Sequence, residues 1–209
     1  WYPGAGIYRN TWLEINNEIH VAKWGTFITT PSISKEAASI NILTEIESVA
    51  TEDKEVHLQT IIYDPNNREV AKTHSVVQTK QNNVVEAVQT TTVKSPMLWD
   101  LDTPNLYTAK TTLIQGDKFL DSYQTTFGIR TIAYGADFGF KLNGKKTRFK
   151  GVCLHHDLGP LGTAVNTRAT ERQLEIMQDM GVNAIRTSHN PPSPEQVQLC
   201  DQMGLMIQC

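Results

Sequence analysis

A short segment that recurs at a fixed offset constrains this chain more than any other feature. TERQLEIMQDMGV, starting at Thr170, lines up with SPEQVQLCDQMGL, starting at Ser193, at a shift of 23 positions. Thr170 matches Ser193 as a helix cap. Leu174 matches Val197, Ile176 matches Leu199, Met177 matches Cys200 and Met180 matches Met203, and Gly181 and Gly204 stand at the stops. A short apolar run follows each glycine, VNAI in one copy and LMI in the other. Helix, glycine and buried strand in two copies predict an α/β region with a parallel sheet, whose strands read as continuous apolar runs. The alternative is a chance match between two capped amphipathic helices.

Between the copies lies RTSHNPPSPE, Arg186 to Glu195. Ser193 suits the N-cap and Pro194 the first helical position, where a missing N–H costs nothing. Pro191 and Pro192 hold the residues before them extended, so the loop is not absorbed into the helix. Thr187, Ser188, His189 and Asn190 are then displayed at the C-terminal end of the strand VNAIR.

From about Ala38 to Tyr134 the helical period is replaced by alternating β-branched and aromatic runs. SINILTEIESV, EVHLQTIIYD, VVEAVQTTTV, NLYTAKTTLIQG and DSYQTTFGIRTI are strand candidates, and DPNN, QNN and QGDK supply turns between them. About seven short antiparallel strands in roughly a hundred residues is the size of an immunoglobulin-like sandwich. The expected division is a remnant of a preceding domain over 1–24, a sandwich over 25–132 and an α/β segment over 133–209. The opening WYPGAGIYRNTWLEI reads as the tail of an earlier domain, and the chain as a fragment.

Composition excludes more than it selects. A net charge of -3 argues against a nucleic-acid partner, and no stretch approaches the roughly 20 apolar residues of a membrane span. No secretory leader is visible and the compartment stays open. Cys153, Cys200 and Cys209 have no CxxC spacing and sit in apolar contexts, so buried free thiols are expected rather than a disulfide or a zinc site.

The second polar cluster is GVCLHHDLGPLG, Gly151 to Gly162, after an NGKK hairpin turn. If TRFKGVCL is the first parallel strand, His155, His156 and Asp157 emerge on the same face as His189, the ligand-binding face of α/β barrels and open parallel sheets. Three readings fit these residues. They are a metal site built from His155, Asp157 and His189, histidines that satisfy buried backbone groups, or a polar pocket for a sugar. A retaining glycosidase needs two carboxylates about 5.5 Å apart, and no such pair is evident. Asp157 is the one acidic residue in the two loops, and Glu171 and Glu195 complement helix dipoles.

With these residues assembled, the sequence resembles glycoside hydrolase family 2, most closely its β-galactosidases. GIYR (Gly6 to Arg9), WDLDTPNLYTA (Trp99 to Ala109), FGIRTI (Phe127 to Ile132), FKLNGKKTRFKGVCLHHD (Phe140 to Asp157) and MGVNAIRTSHNPPSPEQVQLCDQMGL (Met180 to Leu205) carry the resemblance, in family order. It implies the end of a jelly-roll domain, a whole immunoglobulin-like sandwich, and the first part of a catalytic (β/α)8 TIM barrel. By the same resemblance, His155 is the first-loop histidine that contacts the sugar near the reacting centre. His189 is the second-loop histidine that bonds sugar hydroxyls, with Asn190 beside it. Arg186 is the arginine supporting the nucleophile side.

The family's acid/base glutamate, in an Asn-Glu pair, and its nucleophile have no counterpart, since Asn17-Glu18 precedes the sandwich. The resemblance therefore implies a severed piece of a retaining enzyme that cleaves terminal β-D-galactosyl residues, inactive alone and with no cofactor of its own. A divalent cation and a homo-oligomeric state are compatible with the parent enzyme. Some family members have NRHEHHP or NKHED where this chain has CLHHDLG, which leaves His156 and Asp157 without a transferred role. HHDLG and SHNPP favour a galactosidase. A β-glucuronidase or β-mannosidase is the alternative enzyme, and a non-catalytic carbohydrate-binding or interaction module is the alternative outside enzymes.

Overall fold

Seven strands in the computed structural model alternate buried with more exposed side chains over most of their length and form two antiparallel sheets. They are β1 (Ile19–Ile33), β2 (Ala37–Ser48), β3 (Lys54–Tyr63), β4 (Glu69–Thr79), β5 (Asn83–Lys94), β6 (Tyr107–Gln115) and β7 (Lys118–Phe127). One sheet has the order β1-β2-β5 and the other β4-β3-β6-β7. The structure describes residues 6–209, so WYPGA, the start of the expected 1–24 remnant, lies outside the described residues. Ile40, Ile42, Ile46, Val56, Leu58, Ile62 and Leu113 point between the sheets and are fully buried. Two sheets closed over one such core make an immunoglobulin-like sandwich.

Two of the strands are absent from the sequence-based candidates. β1 loses its period at register shifts between Val21 and Thr26 and between Thr29 and Ser32. At the first shift Trp24 is left-handed, with φ 61°. There a Cβ on Gly25 would sit 2.7 Å from the Ala22 carbonyl oxygen, so the bulge hides the alternation. β4 is an edge strand that exposes Lys72, His74, Val76 and Gln78 and reads as polar. Ile19 opens β1 inside the segment assigned by sequence to the remnant.

A buried polar network joins the two sheets. Gln89 of β5, 3% exposed, accepts from the Thr60 hydroxyl at 2.8 Å and donates to the Leu58 carbonyl and the Ser75 hydroxyl, both at 3.0 Å. Thr60 also lies 3.2 Å from the Thr111 hydroxyl. Replacing Gln89 by leucine is expected to cost about 2–3 kcal/mol, since a buried carbonyl and hydroxyl lose their partners. Chemical denaturation of the chain checks this, and unchanged stability would show the network to be dispensable.

The predicted DPNN turn closes on Asp64. Its Oδ2 accepts from the Arg68 Nε at 2.8 Å, and its Oδ1 accepts from the backbone N–H groups of Asn66 and Arg68 at 2.9 Å. The Arg68 side-chain bond first, with these backbone bonds, holds the carboxyl below its ordinary range. Its contribution to stability is present above the ordinary carboxylate pKa and is lost as pH falls through the lowered folded value.

The second unit comprises residues 6–13, Trp99–Pro104 and Thr131–Cys209. β8 (Ile132–Gly135), β9 (Gly139–Leu142) and β10 (Lys145–Lys146) form a small antiparallel sheet. Its NGKK turn has Asn143 at φ 51° and Gly144 at φ 77°, the left-handed pair of a two-residue hairpin. The Asn143 side chain also donates to the Trp99 carbonyl at 2.9 Å and accepts from the Thr131 N–H at 3.0 Å.

β11 (Gly151–Leu154), β12 (Ala184–Thr187) and β13 (Met206–Gln208) pair in parallel in that order, joined through α1 (Thr167–Asp179) and α2 (Pro194–Met203). The 23-residue repeat is thus a repeated strand-and-helix unit. Leu174, Ile185, Leu199, Cys200 and Leu205 form its core.

Two expectations need correction here. Thr170 does not cap α1: Asn166 does, accepting from the Ala169 N–H at 3.0 Å, while the Thr170 hydroxyl donates to the Asn166 carbonyl within the first turn. Asparagine is the stronger cap, and Thr167, Arg168 and Ala169 extend the helix toward it. Nor are all three thiols buried. Cys200 is buried, and desolvation pushes its thiol up to about 12, whereas Cys153 and Cys209 are exposed. Cys153 lies on the sheet face opposite the helices.

Candidate functional site

Parallel pairing decides which side chains meet. The register sets Cys153 beside Arg186 and Leu154 beside Thr187, and the Ser188 N–H continues it by donating to the Leu154 carbonyl at 2.8 Å. Leu154 and Ile185 face the helices, while Gly151, Cys153, His155, Arg186 and His189 are exposed. Because the strands run the same way, their following loops leave from the same end. His155 and His189 therefore emerge at the C-terminal ends of adjacent strands, as expected from the repeat.

His155 Nδ1 lies 2.5 Å from the Ser188 carbonyl oxygen. A carbonyl only accepts, so Nδ1 carries the proton in this contact. Ser188 is joined to His189 by a cis peptide bond. One backbone carbonyl orients the first histidine and directly precedes the second.

Between the two loops is a crevice lined by His155, His156, Asp157 and Asn190, together with Thr187 and Ser193. Asn190 Oδ1 and both ring nitrogens of His156 are shielded from solvent and have no hydrogen-bond partner among the described residues. Asp157 accepts from the Gly159 N–H at 2.8 Å, closing its own loop. Arg186 and His189 do not line this crevice. Arg186 occupies the exposed sheet face in register with Cys153 and Gln208. The Ser188 hydroxyl first, and then the Arg186 guanidinium, hold the Cys153 thiol below its ordinary value.

The carboxyl of Glu195 is held in the wrong direction for a general acid. Burial pushes Glu195 up, but bonds from its own backbone N–H, Asn10 and Ser193 outweigh this and hold it below the ordinary range. A general acid at neutral pH needs the opposite shift. Among the described residues, no group of three or more His, Cys, Asp or Glu could hold a metal ion. What these loops offer is hydrogen bonding to polar groups.

GIYR supplies contacts that the sequence reading did not assign. Arg9 donates to the carbonyl of Pro192 at 3.3 Å and to that of Pro191, and Asn10 donates to Glu195 Oε1 at 2.9 Å. The Tyr8 ring stacks on His156 with centroids 5.7 Å apart. One segment thereby pins both loops. The signal available was the prolines themselves, whose carbonyls face no strand partner and need donors from elsewhere. Arg9→Ala is expected to weaken the second loop by about 1–2 kcal/mol, read as faster amide exchange at His189 and Asn190 with the sandwich unchanged. Equal exchange in both proteins would remove the clamp.

The sequence profile of glycosyl hydrolases family 2 matches residues 19–130, and the TIM barrel domain of the same family matches residues 135–208. The chain belongs to glycosyl hydrolase family 2. Its sandwich is the family's immunoglobulin-like domain, and β11 to β13 with α1 and α2 are the first part of the family 2 barrel. The chain is 47% identical over 207 residues to the β-galactosidase BoGH2A of Bacteroides ovatus, covering 99% of this chain and 24% of that protein. A solved family 2 member from Bacteroides cellulosilyticus superposes with a TM-score of 0.95 at 40% identity, covering 99% of this chain and 27% of that one. The Bacteroides uniformis β-glucuronidase 2, solved covalently bound to a cyclophellitol-6-carboxylate aziridine, matches at 30% identity with a TM-score of 0.85, covering 92% and 24%. The family 2 chain thus spans about a quarter of these relatives. No described helix is long and apolar enough to cross a membrane.

Proposed function

We propose that the chain is the sandwich and opening barrel segment of a retaining glycoside hydrolase that releases terminal β-D-galactosyl residues, and that alone it does not cleave the glycosidic bond. The observation that carries this is the placement of His155 and His189 at the C-terminal ends of adjacent parallel strands, the ligand-binding face of a barrel. In this reading His155 contacts the sugar near the reacting centre, His189 bonds sugar hydroxyls with Asn190 beside it, and Arg186 supports the nucleophile side. Glutamates outside this chain supply the acid and the nucleophile. Similarity to a β-galactosidase at 47% identity supports the galactosyl assignment.

A second reading, a β-glucuronidase, draws on the likeness to the Bacteroides uniformis enzyme. Enzyme expressed from the complete coding sequence should turn over an aryl β-galactoside with the higher kcat/KM, and the reverse order with an aryl β-glucuronide would favour the second reading. The 209-residue chain should turn over neither above a blank. Hydrolysis by the purified chain that depends on one of its own carboxylates would overturn the assignment of the chemistry to residues outside it.

A further inference from the structure

The outer face of the β4-β3-β6-β7 sheet carries a side-chain pair unrelated to the barrel loops. In the antiparallel register of β3 and β4, His57 faces Val76 and Gln59 faces His74, so the two histidines are diagonal neighbours on one face. Their rings are 5.2 Å apart at 24°, and His57 Nδ1 lies 3.1 Å from His74 Nε2. We propose that His57 and His74 form a two-histidine site for a borderline divalent transition-metal ion such as Zn2+.

The spacing supports this. Two imidazole nitrogens each about 2.0–2.1 Å from one zinc ion, at an angle near 100°, are about 3.1–3.2 Å apart. Without metal, one of the facing nitrogens must donate to the other. When the ion binds, that ring takes its other tautomer, its proton moves to the outward nitrogen, and both facing lone pairs point at the metal.

The ligands are also held in advance, because β3 is paired along both edges, by β4 and by β6. Little further order has to be imposed on binding. Glu55, the next outward residue of β3, is engaged with Gln78 Nε2 at 2.7 Å, and Lys72 is the next outward residue on β4. One charge of each sign leaves the local field balanced. No third His, Cys, Asp or Glu completes the set among the described residues, so the remaining positions belong to water and the ion exchanges readily. Binding across the pair ties the edge strand β4 to β3.

Titrating the 209-residue chain with Zn2+ alone, followed by NMR of the histidine ring protons, tests the site. The rings of His57 and His74 should shift together and saturably, and the sandwich should melt at a higher temperature, since the ion binds the folded state. His57→Gln and His74→Gln should each weaken that binding by at least about tenfold, the smaller loss seen when a metal ligand's surroundings are disturbed. A variant with His155, His189 and Cys153 all replaced should keep it. Rings that stay unshifted at millimolar Zn2+, or a shift that survives either glutamine substitution undiminished, would overturn the site.

Discussion

Alanine at Gly204 is expected to destabilise the second unit by about 2–5 kcal/mol, from a left-handed backbone cost of about 1–2 kcal/mol and an overpacking cost of about 1–3 kcal/mol. Gly204 ends α2 with φ 73°. A Cβ there would overlap the Leu101 carbonyl oxygen and sit 2.9 Å from its carbon, and both of those atoms are backbone. The backbone cannot retreat cheaply. Trp99, two residues earlier and 1% exposed, donates its indole N–H to the Asp201 carbonyl at 2.7 Å, tying the WDLDTP turn to the same helix end. Relieving the clash breaks that bond or moves α2 off Ile185.

Gly181 is the control, because it occupies the equivalent place in the repeat with φ 83° and nothing within 4 Å of an added methyl. Gly181→Ala should show only the left-handed cost of about 1–2 kcal/mol. Amide exchange across α2 and β13 in the two variants reads the difference. Equal effects would mean that the WDLDTP turn yields freely.

That pair of glycines also shows what a sequence can and cannot disclose. Both were legible as helix stops, since a glycine after an amphipathic run marks the left-handed exit. The close approach of Leu101 to one of them was not, because it depends on a turn about a hundred residues away along the chain. Ser193, Pro194 and Asn143-Gly144 were legible for the same local reason, and each does what its chemistry predicts. β1 and β4 escaped because a bulge shifts the period of one and edge exposure makes the other polar.

Within the candidate site, the shared rim of His155 and His189 followed from the repeat, since parallel strands must send their loops out at one end. The clamp by Arg9 did not. GIYR has no period, and its donors find their carbonyls across more than 180 residues of chain.

Replacing His189 by phenylalanine in enzyme from the complete coding sequence is expected to lower kcat/KM by about 100- to 1000-fold, or about 3–4 kcal/mol at the transition state. The loop that carries His189 is held at several backbone groups. The carbonyl of Ser188 accepts from His155, the Ser188 N–H donates to Leu154, and the carbonyls of Pro191 and Pro192 accept from Arg9. The His189 side chain is exposed and Pro194 starts α2 directly after the loop's cap. The loss of activity should therefore exceed any loss of stability.

His155→Phe should behave differently, because its ring also supports the backbone at Ser188, so activity and loop stability should fall together. The two variants separate a sugar contact from a structural histidine. If His189→Phe left the kinetics intact, or lost its activity only in proportion to lost stability, the ring would be a support for the loop, and the sugar contact would have to be sought among the buried groups of the crevice, at His156 and Asn190.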